Sequence, residues 1–152
     1  MQTRRGVLAR SAAVAALLAA AGVLPAHAQA AWNKAAFDAK TVGDAIKALG
    51  LARPVESKDI VFTAPDIAEN GAVVPIGAST TVPGVKRIAL LVEKNPTSLA
   101  GMFEFGDAVE THVSIRIKMA QTSNVLAVAI TGDGKVLFAQ KEVKVTLGGC
   151  GG

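Results

Sequence analysis

Two hydrophobic periods divide the chain. Between Trp32 and Gly50, Ala39, Val42, Ile46 and Leu49 recur at steps of three and four residues and line one face of a 3.6-residue helix. Thr41 and Asp44 have the spacing of an N-cap pair, so this segment is either one helix or two short ones. Gly50 supplies a C-terminal cap, and Pro54 prevents continuation because it has no backbone N–H.

Beyond Pro54 the period becomes two. Lys58–Thr63 reads as a short strand stopped by Ala64-Pro65-Asp66. Ala72–Gly77 contains Pro75, which places it at a sheet edge or in irregular structure. Val85–Glu93 carries Ile88, Ala89, Leu90, Leu91 and Val92 in succession, the signature of a strand buried on both faces. Asn95-Pro96 ends it, and Leu99–Phe105 follows with Leu99, Phe103 and Phe105 on one side. From Glu110 onward, Val113, Ile115, Ile117 and Met119 alternate with His112, Ser114, Arg116 and Lys118, a half-buried strand with a polar outer face. Asn124–Ile130, a Thr131-Gly132-Asp133-Gly134 turn, and then Lys135–Gln140 and Lys141–Leu147 complete the series. About seven short strands punctuated by turns predict an all-β, immunoglobulin-like antiparallel β-sandwich with a short helical N-terminal segment.

The first 28 residues fall outside that pattern. Arg4-Arg5 precede an apolar run from Ala12 to Leu24, and Ala26-x-Ala28 offers small residues at a cleavage position. This is the form of a twin-arginine signal peptide at residues 1–28, removed on export to the periplasm. The apolar run falls short of the ~20 residues that span a bilayer, so no retained membrane anchor is expected. Removal also changes the charge. Arg4, Arg5 and Arg10 leave with the signal, and 13 basic residues then face 12 acidic ones. Without a basic patch interleaved with aromatics, nucleic acid is not an expected partner.

Little in residues 29–147 could perform chemistry. His112 is the one histidine there, so no His/Cys/carboxylate cluster offers a metal site, and a hydrolytic triad would have to be built on a histidine from the polar face of a strand. Val82-Pro83-Gly84 and Gly132-Asp133-Gly134 are turn glycines and cradle no phosphate. Phe103 with Phe105, and Lys86 with Arg87, could bind an apolar group or an anion, but an apolar face at spacing two is usually core and a short charged pair at a strand start is more often solvated. Phe103, Phe105 and the edge near Pro75 are candidates for a partner interface.

The remaining feature is Gly148-Gly149-Cys150-Gly151-Gly152. Cys150 is the single cysteine, and an unpaired thiol in an oxidising compartment implies pairing between chains or a reactive group. Glycines lose the most conformational freedom on ordering, so residues 148–152 are expected to form a flexible arm. At ~3.3–3.6 Å per extended residue, its thiol would reach roughly 10 Å past the sandwich. Nothing in the sequence places a base beside Cys150, so it is suited to being acted upon and not to catalysing. A prenylation box is excluded by its spacing and neighbours, and a ubiquitin-like sulfur carrier by its need for ATP and a different fold.

Val143-Lys144-Val145-Thr146-Leu147-Gly148-Gly149-Cys150-Gly151-Gly152 resembles the C-terminal signature of the SoxY family, the sulfur-carrying subunits of the thiosulfate-oxidising Sox system. The twin-arginine leader, the Phe37–Thr41 region with its Leu49-Gly50 end and the all-β remainder agree with that resemblance. It implies a non-catalytic carrier that has no cofactor and holds thiosulfate-derived sulfur covalently on Cys150. It further implies a heterodimer with a SoxZ-like subunit. Transient docking would follow to a c-type cytochrome that conjugates thiosulfate, to a sulfate thiohydrolase and to a sulfane dehydrogenase. Two other readings belong to different classes. An exported structural or adhesive domain would use Cys150 as a crosslink, and a hydrolase would use His112.

Overall fold

The computed structural model describes residues 33–149 together with Ala13, Val14 and Leu17. Met1–Trp32 and Asn33–Gly152 form separate units, and the three described residues of the first are helical. Apart from those three positions, the expected signal peptide at residues 1–28 lies outside the described residues. Among the described residues no helix is long and apolar enough to cross a membrane.

The predicted helical segment is two helices, α1 (Lys34–Phe37) and α2 (Val42–Ala48). The break has a local cause. Thr41 adopts an extended backbone, and its Oγ1 accepts from Asp44 N at 3.1 Å while donating to Asp44 Oδ2 at 2.7 Å. This satisfies one of the free N–H groups that every helix start exposes. Asn33 caps α1 in the same way, accepting from Ala36 N at 3.1 Å.

Nine strands follow: β1 (Val55–Glu56), β2 (Ile60–Thr63), β3 (Ile67–Asn70), β4 (Val74–Thr80), β5 (Val85–Val92), β6 (Leu99–Glu104), β7 (His112–Ile117), β8 (Ser123–Thr131) and β9 (Val136–Leu147). They form two sheets. The larger runs β1-β9-β8-β5-β6, with β3 also pairing with β9, and the smaller runs β2-β4-β7. The all-β sandwich read from the sequence is the fold. Its strand number is higher because β1 and β3 are two short parallel additions, β1 to the start of β9 and β3 to its end. Between them β2 crosses to the other sheet and pairs antiparallel with β4. The two predicted strands over Lys135–Leu147 are one continuous β9.

The strand read as buried on both faces is so. Ile88, Leu90 and Val92 of β5 point into the sandwich, against Ile76 of β4 and Val113 and Ile117 of β7. Ala89 and Leu91 point the other way, against Ala36, Ala45 and Ile46 of the two helices. β8 is divided likewise, with Val125, Ala127 and Ala129 inward and Val128 and Ile130 under the helices. The molecule is therefore layered as helices, six-stranded sheet, three-stranded sheet.

Pro75 corrects the sequence expectation. It lies in β4, the middle strand of the smaller sheet, not at an edge. The strand tolerates it because β2 pairs only with Gly77–Thr80, so Pro75 has β7 as its one strand neighbour, opposite Arg116.

Candidate functional site

The C-terminal end of β9 is where the chain delivers Gly148-Gly149-Cys150. Three separate segments meet there. Lys144–Leu147 runs parallel to β3, with Ala68 opposite Val145 and Asn70 opposite Leu147. Gly71, at the turn out of β3, donates its N–H to Leu147 O at 2.7 Å. Its own carbonyl accepts from Met119 N at 2.7 Å, and Met119 O accepts from Gly149 N at 2.9 Å. These bonds close a backbone clasp in which Gly71, Met119 and Gly149 are linked across more than seventy residues of sequence.

The glycines are there for proximity. A Cβ on Gly71 would lie under 3.0 Å from Met119 O, Gly149 N and the Val145 side chain. One on Gly148 would overlap Ala120 O, and one on Gly149 would overlap the backbone of Gly71 and Ala72. No side chain fits at any of the three without moving backbone, and backbone shifts of that size are costly in a packed interior. The expectation that the arm is free from Gly148 onward is therefore changed: Gly148 and Gly149 are seated against the sandwich. Gly149 is held in this way, and it is the residue before Cys150. Cys150, Gly151 and Gly152 themselves lie outside the described residues.

Side chains brace the clasp. Met119 is fully buried beyond the end of β7. Asn95 Nδ2 donates to Lys118 O at 2.8 Å, and Asn95 Oδ1 accepts from Ala120 N at 3.0 Å. Thr122 Oγ1 accepts from Val145 N at 3.0 Å, and Thr146 Oγ1 donates to Glu69 O at 2.9 Å. Asn70 Oδ1 turns the chain by accepting from Ala72 N at 2.9 Å. Of these residues the sequence singled out Met119, as an inward strand position, and Asn95, as a strand terminator. Gly71 was not identified, although Asn70-Gly71 is a turn signal.

Ionic contacts tie β3 to β9 farther back. Lys141 Nζ lies 2.9 Å from Asp66 Oδ1 and donates to Ala64 O at 2.7 Å. The hydrogen bond and charge of Lys141, aided by Lys144, hold the Asp66 carboxyl below the usual carboxylate range. Lys86, weighed as an anion site, is instead paired with Asp107, whose carboxyl is lowered by that hydrogen bond and charge. Phe103 and Phe105 are half-buried against the sandwich interior, in agreement with a core role.

His112 is exposed at the start of β7, opposite Ser79, between depressions of about 510 and 450 Å³ on the outer face of the smaller sheet. Asp59 and Glu110 line the first of these, but neither forms a hydrogen-bonded relay with the imidazole, so no hydrolytic constellation is assembled there. Among the described residues no group of three or more His, Cys, Asp or Glu side chains could hold a metal ion.

Comparison with curated proteins yields no significant match. Among solved structures, the sulfur carrier protein SoxY from Chlorobium limicola f thiosulfatophilum is similar, with a TM-score of 0.63 and 38% identity over 70% of this chain and 97% of that one. A superoxide reductase (neelaredoxin) variant from Ignicoccus hospitalis shares the fold alone, with a TM-score of 0.50 and 19% identity over 57% of this chain and 78% of its own. Residues 46–150 match the family described as sulfur oxidation protein SoxY, so the resemblance carried by Val143–Gly152 is confirmed and the chain belongs to the SoxY family.

Proposed function

We propose that this protein is a covalent sulfur carrier whose attachment point is Cys150. The observation that carries the reading is that the family match extends through residue 150, the one cysteine of the chain. The similar Chlorobium structure is of a sulfur carrier protein, which supports it. The clasp agrees as well, because it brings the chain to the residue before Cys150 in a fixed position at one end of the sandwich.

A carrier thiol needs no catalytic apparatus of its own. Loading joins the Cys150 sulfur to the sulfane sulfur of thiosulfate. The thiol loses its proton, and two electrons pass to a c-type cytochrome partner, leaving a cysteine S-thiosulfonate. Water then cleaves the terminal sulfur–sulfur bond on a thiohydrolase partner, which releases sulfate and leaves a persulfide for a sulfane dehydrogenase. A thiol and a persulfide alternating on one atom is the reversible sulfur chemistry expected of an accessible cysteine. The sulfur adduct takes the place of a cofactor. A SoxZ-like subunit completes the carrier as a heterodimer, and the twin-arginine leader at residues 1–28 exports it to the periplasm.

The test is intact-mass analysis of the full chain with its partner subunit after incubation with thiosulfate and the conjugating cytochrome. Sulfur adducts are expected on Cys150 and on no other residue. A Cys150→Ser variant that still acquires them, or still supports thiosulfate oxidation, overturns the assignment. A protein recovered almost wholly as a Cys150-linked homodimer that takes no sulfur identifies the crosslinking alternative.

A further inference from the structure

We infer that Gly71, although 79 residues from Cys150 in sequence, is a positioning residue for sulfur loading. Together with Met119 it sets the point at which the terminal segment leaves the fold. The inference rests on Cys150 being the sulfur-bearing residue. Three observations support it. Gly71 is hydrogen-bonded through both its N–H and its C=O, to Leu147 O and from Met119 N. Met119 O in turn takes the Gly149 N–H, so the turn after β3 and the end of β7 together hold the residue that precedes Cys150. Finally, Gly71, Gly148 and Gly149 all occupy sites where a Cβ would come under 3.0 Å from backbone atoms, Gly71 and Gly149 against each other and Gly148 against Ala120, so the contact is a close fit of backbones and not a loose apposition.

The consequence concerns reach. If the segment were free from Leu147, the sulfur would sample a sphere set by three extended residues, each of ~3.3–3.6 Å. Held at Gly149, the chain has its fixed point one residue before Cys150. Productive loading needs the reacting atoms brought to a defined separation, and tethering raises the effective concentration of a group near its target. Holding Gly149 therefore fixes the end of the sandwich from which the chain continues to Cys150, and a partner enzyme that docks on the fold meets it at that end. Releasing the clasp would leave the thiol chemically intact but remove the fixed point at Gly149.

The experiment uses the full chain with its partner subunit. Gly71→Ala drives a Cβ into Met119 O and Gly149 N, Gly148→Ala drives one into Ala120 O beside the clasp, and Gly106→Ala is the control, since a Cβ there meets nothing within 4 Å. Amide exchange at Gly149 is read alongside Val125 and Val128 of β8. Cys150 alkylation by iodoacetamide is read alongside KM and kcat for loading by the conjugating cytochrome. In the wild type the Gly149 amide is expected to be protected. In either clasp variant its protection falls at least tenfold while β8 keeps its own, alkylation is unchanged or faster, and KM for loading rises about tenfold with kcat little changed. Gly106→Ala behaves as wild type. A Gly149 amide that exchanges freely in the wild type overturns the inference. So does a variant that has lost Gly149 protection yet loads with an unaltered KM. If Gly71→Ala does not fold, Gly148→Ala decides. A wild type that takes up no sulfur at all is a different result, because it removes the carrier assignment and the positioning role with it while the exchange data still report the clasp.

Discussion

Asn95 holds the peptide groups on both sides of Met119, donating from Nδ2 to Lys118 O at 2.8 Å and accepting at Oδ1 from Ala120 N at 3.0 Å. One side chain from the β5–β6 connection thereby fixes the backbone that binds both Gly71 and Gly149. Asn95→Ala deletes two hydrogen bonds to backbone, an exposed one to Lys118 O and a partly buried one from Ala120 N, each contributing about 0.5–1.5 kcal/mol. We expect a loss of about 1–3 kcal/mol in chemical denaturation, with the Gly149 amide losing protection as well. Asn95→Asp keeps the acceptor for Ala120 N and loses the donor to Lys118 O, and it should fall between the two. An Asn95→Ala protein as stable as wild type would remove Asn95 from the bracing of the clasp.

How much of this was legible depended on what held each element. β5 was legible because Ile88 to Val92 lie between two apolar layers, and burial on both faces writes itself into side chains. The Thr41 cap was legible because a hydroxyl three residues before a carboxylate is a local device. β1 and β3 were not, since Val55–Glu56 and Ile67–Asn70 are held chiefly by backbone pairing to a distant β9, for which no side-chain period is required. Gly148 and Gly149 were read as the start of a flexible arm, and their seating against Gly71 and Ala120 was not legible. Glycine allows both freedom and close approach, and the sequence does not distinguish them until Gly71 and Ala120 are seen beside it.

The double burial of β5 makes a contrast that can be measured. Leu91 is fully buried beneath the two helices, whereas Val61 of β2 is 61% exposed on the outer face of the smaller sheet. Leu91→Ala should cost about 2–5 kcal/mol, the range for emptying a core site. Val61→Ala should remain within about 0.5 kcal/mol, as for other surface changes. Urea denaturation of the two variants checks both numbers. Equal losses would show that the helices do not pack on β5 as described.

Thr41 predicts a smaller, local effect. Its Oγ1 takes the Asp44 N–H, and Thr41→Ala leaves that donor without its cap. The expected loss is about 0.5–2 kcal/mol. Thr41→Ser retains the oxygen and should recover most of it. Because α2 covers Ala89 and Leu91, amide protection should fall first in the helix and only then in β5. Uniform loss across the molecule would argue that the cap serves the global fold and not the helix.

The Asp66–Lys141 contact gives a pH dependence whose sign follows from the direction of the shift. Lys141 lowers the Asp66 carboxyl below its reference value of 3.8. The folded state therefore binds that proton less tightly than the unfolded state does. The stability it contributes is fully present above about pH 4, and it is lost as the pH falls from there through the lower folded value. Asp66 is exposed and the pair is open to solvent, so salt should weaken the effect. In Lys141→Met the Asp66 titration, followed by carboxyl-carbon NMR, should move back up toward 3.8, leaving the residual influence of Lys144. The same change removes the hydrogen bond to Ala64 O, so the β2–β3 turn should gain amide exchange at every pH, including pH 7 where the carboxylate is ionised in both states. That second effect separates the two roles of Lys141. If exchange in the turn increases only below pH 4, the contact acts through the Asp66 charge alone. An increase at neutral pH assigns to the Ala64 bond a share of what holds β3 alongside β9, and hence of what carries Gly71 to Leu147.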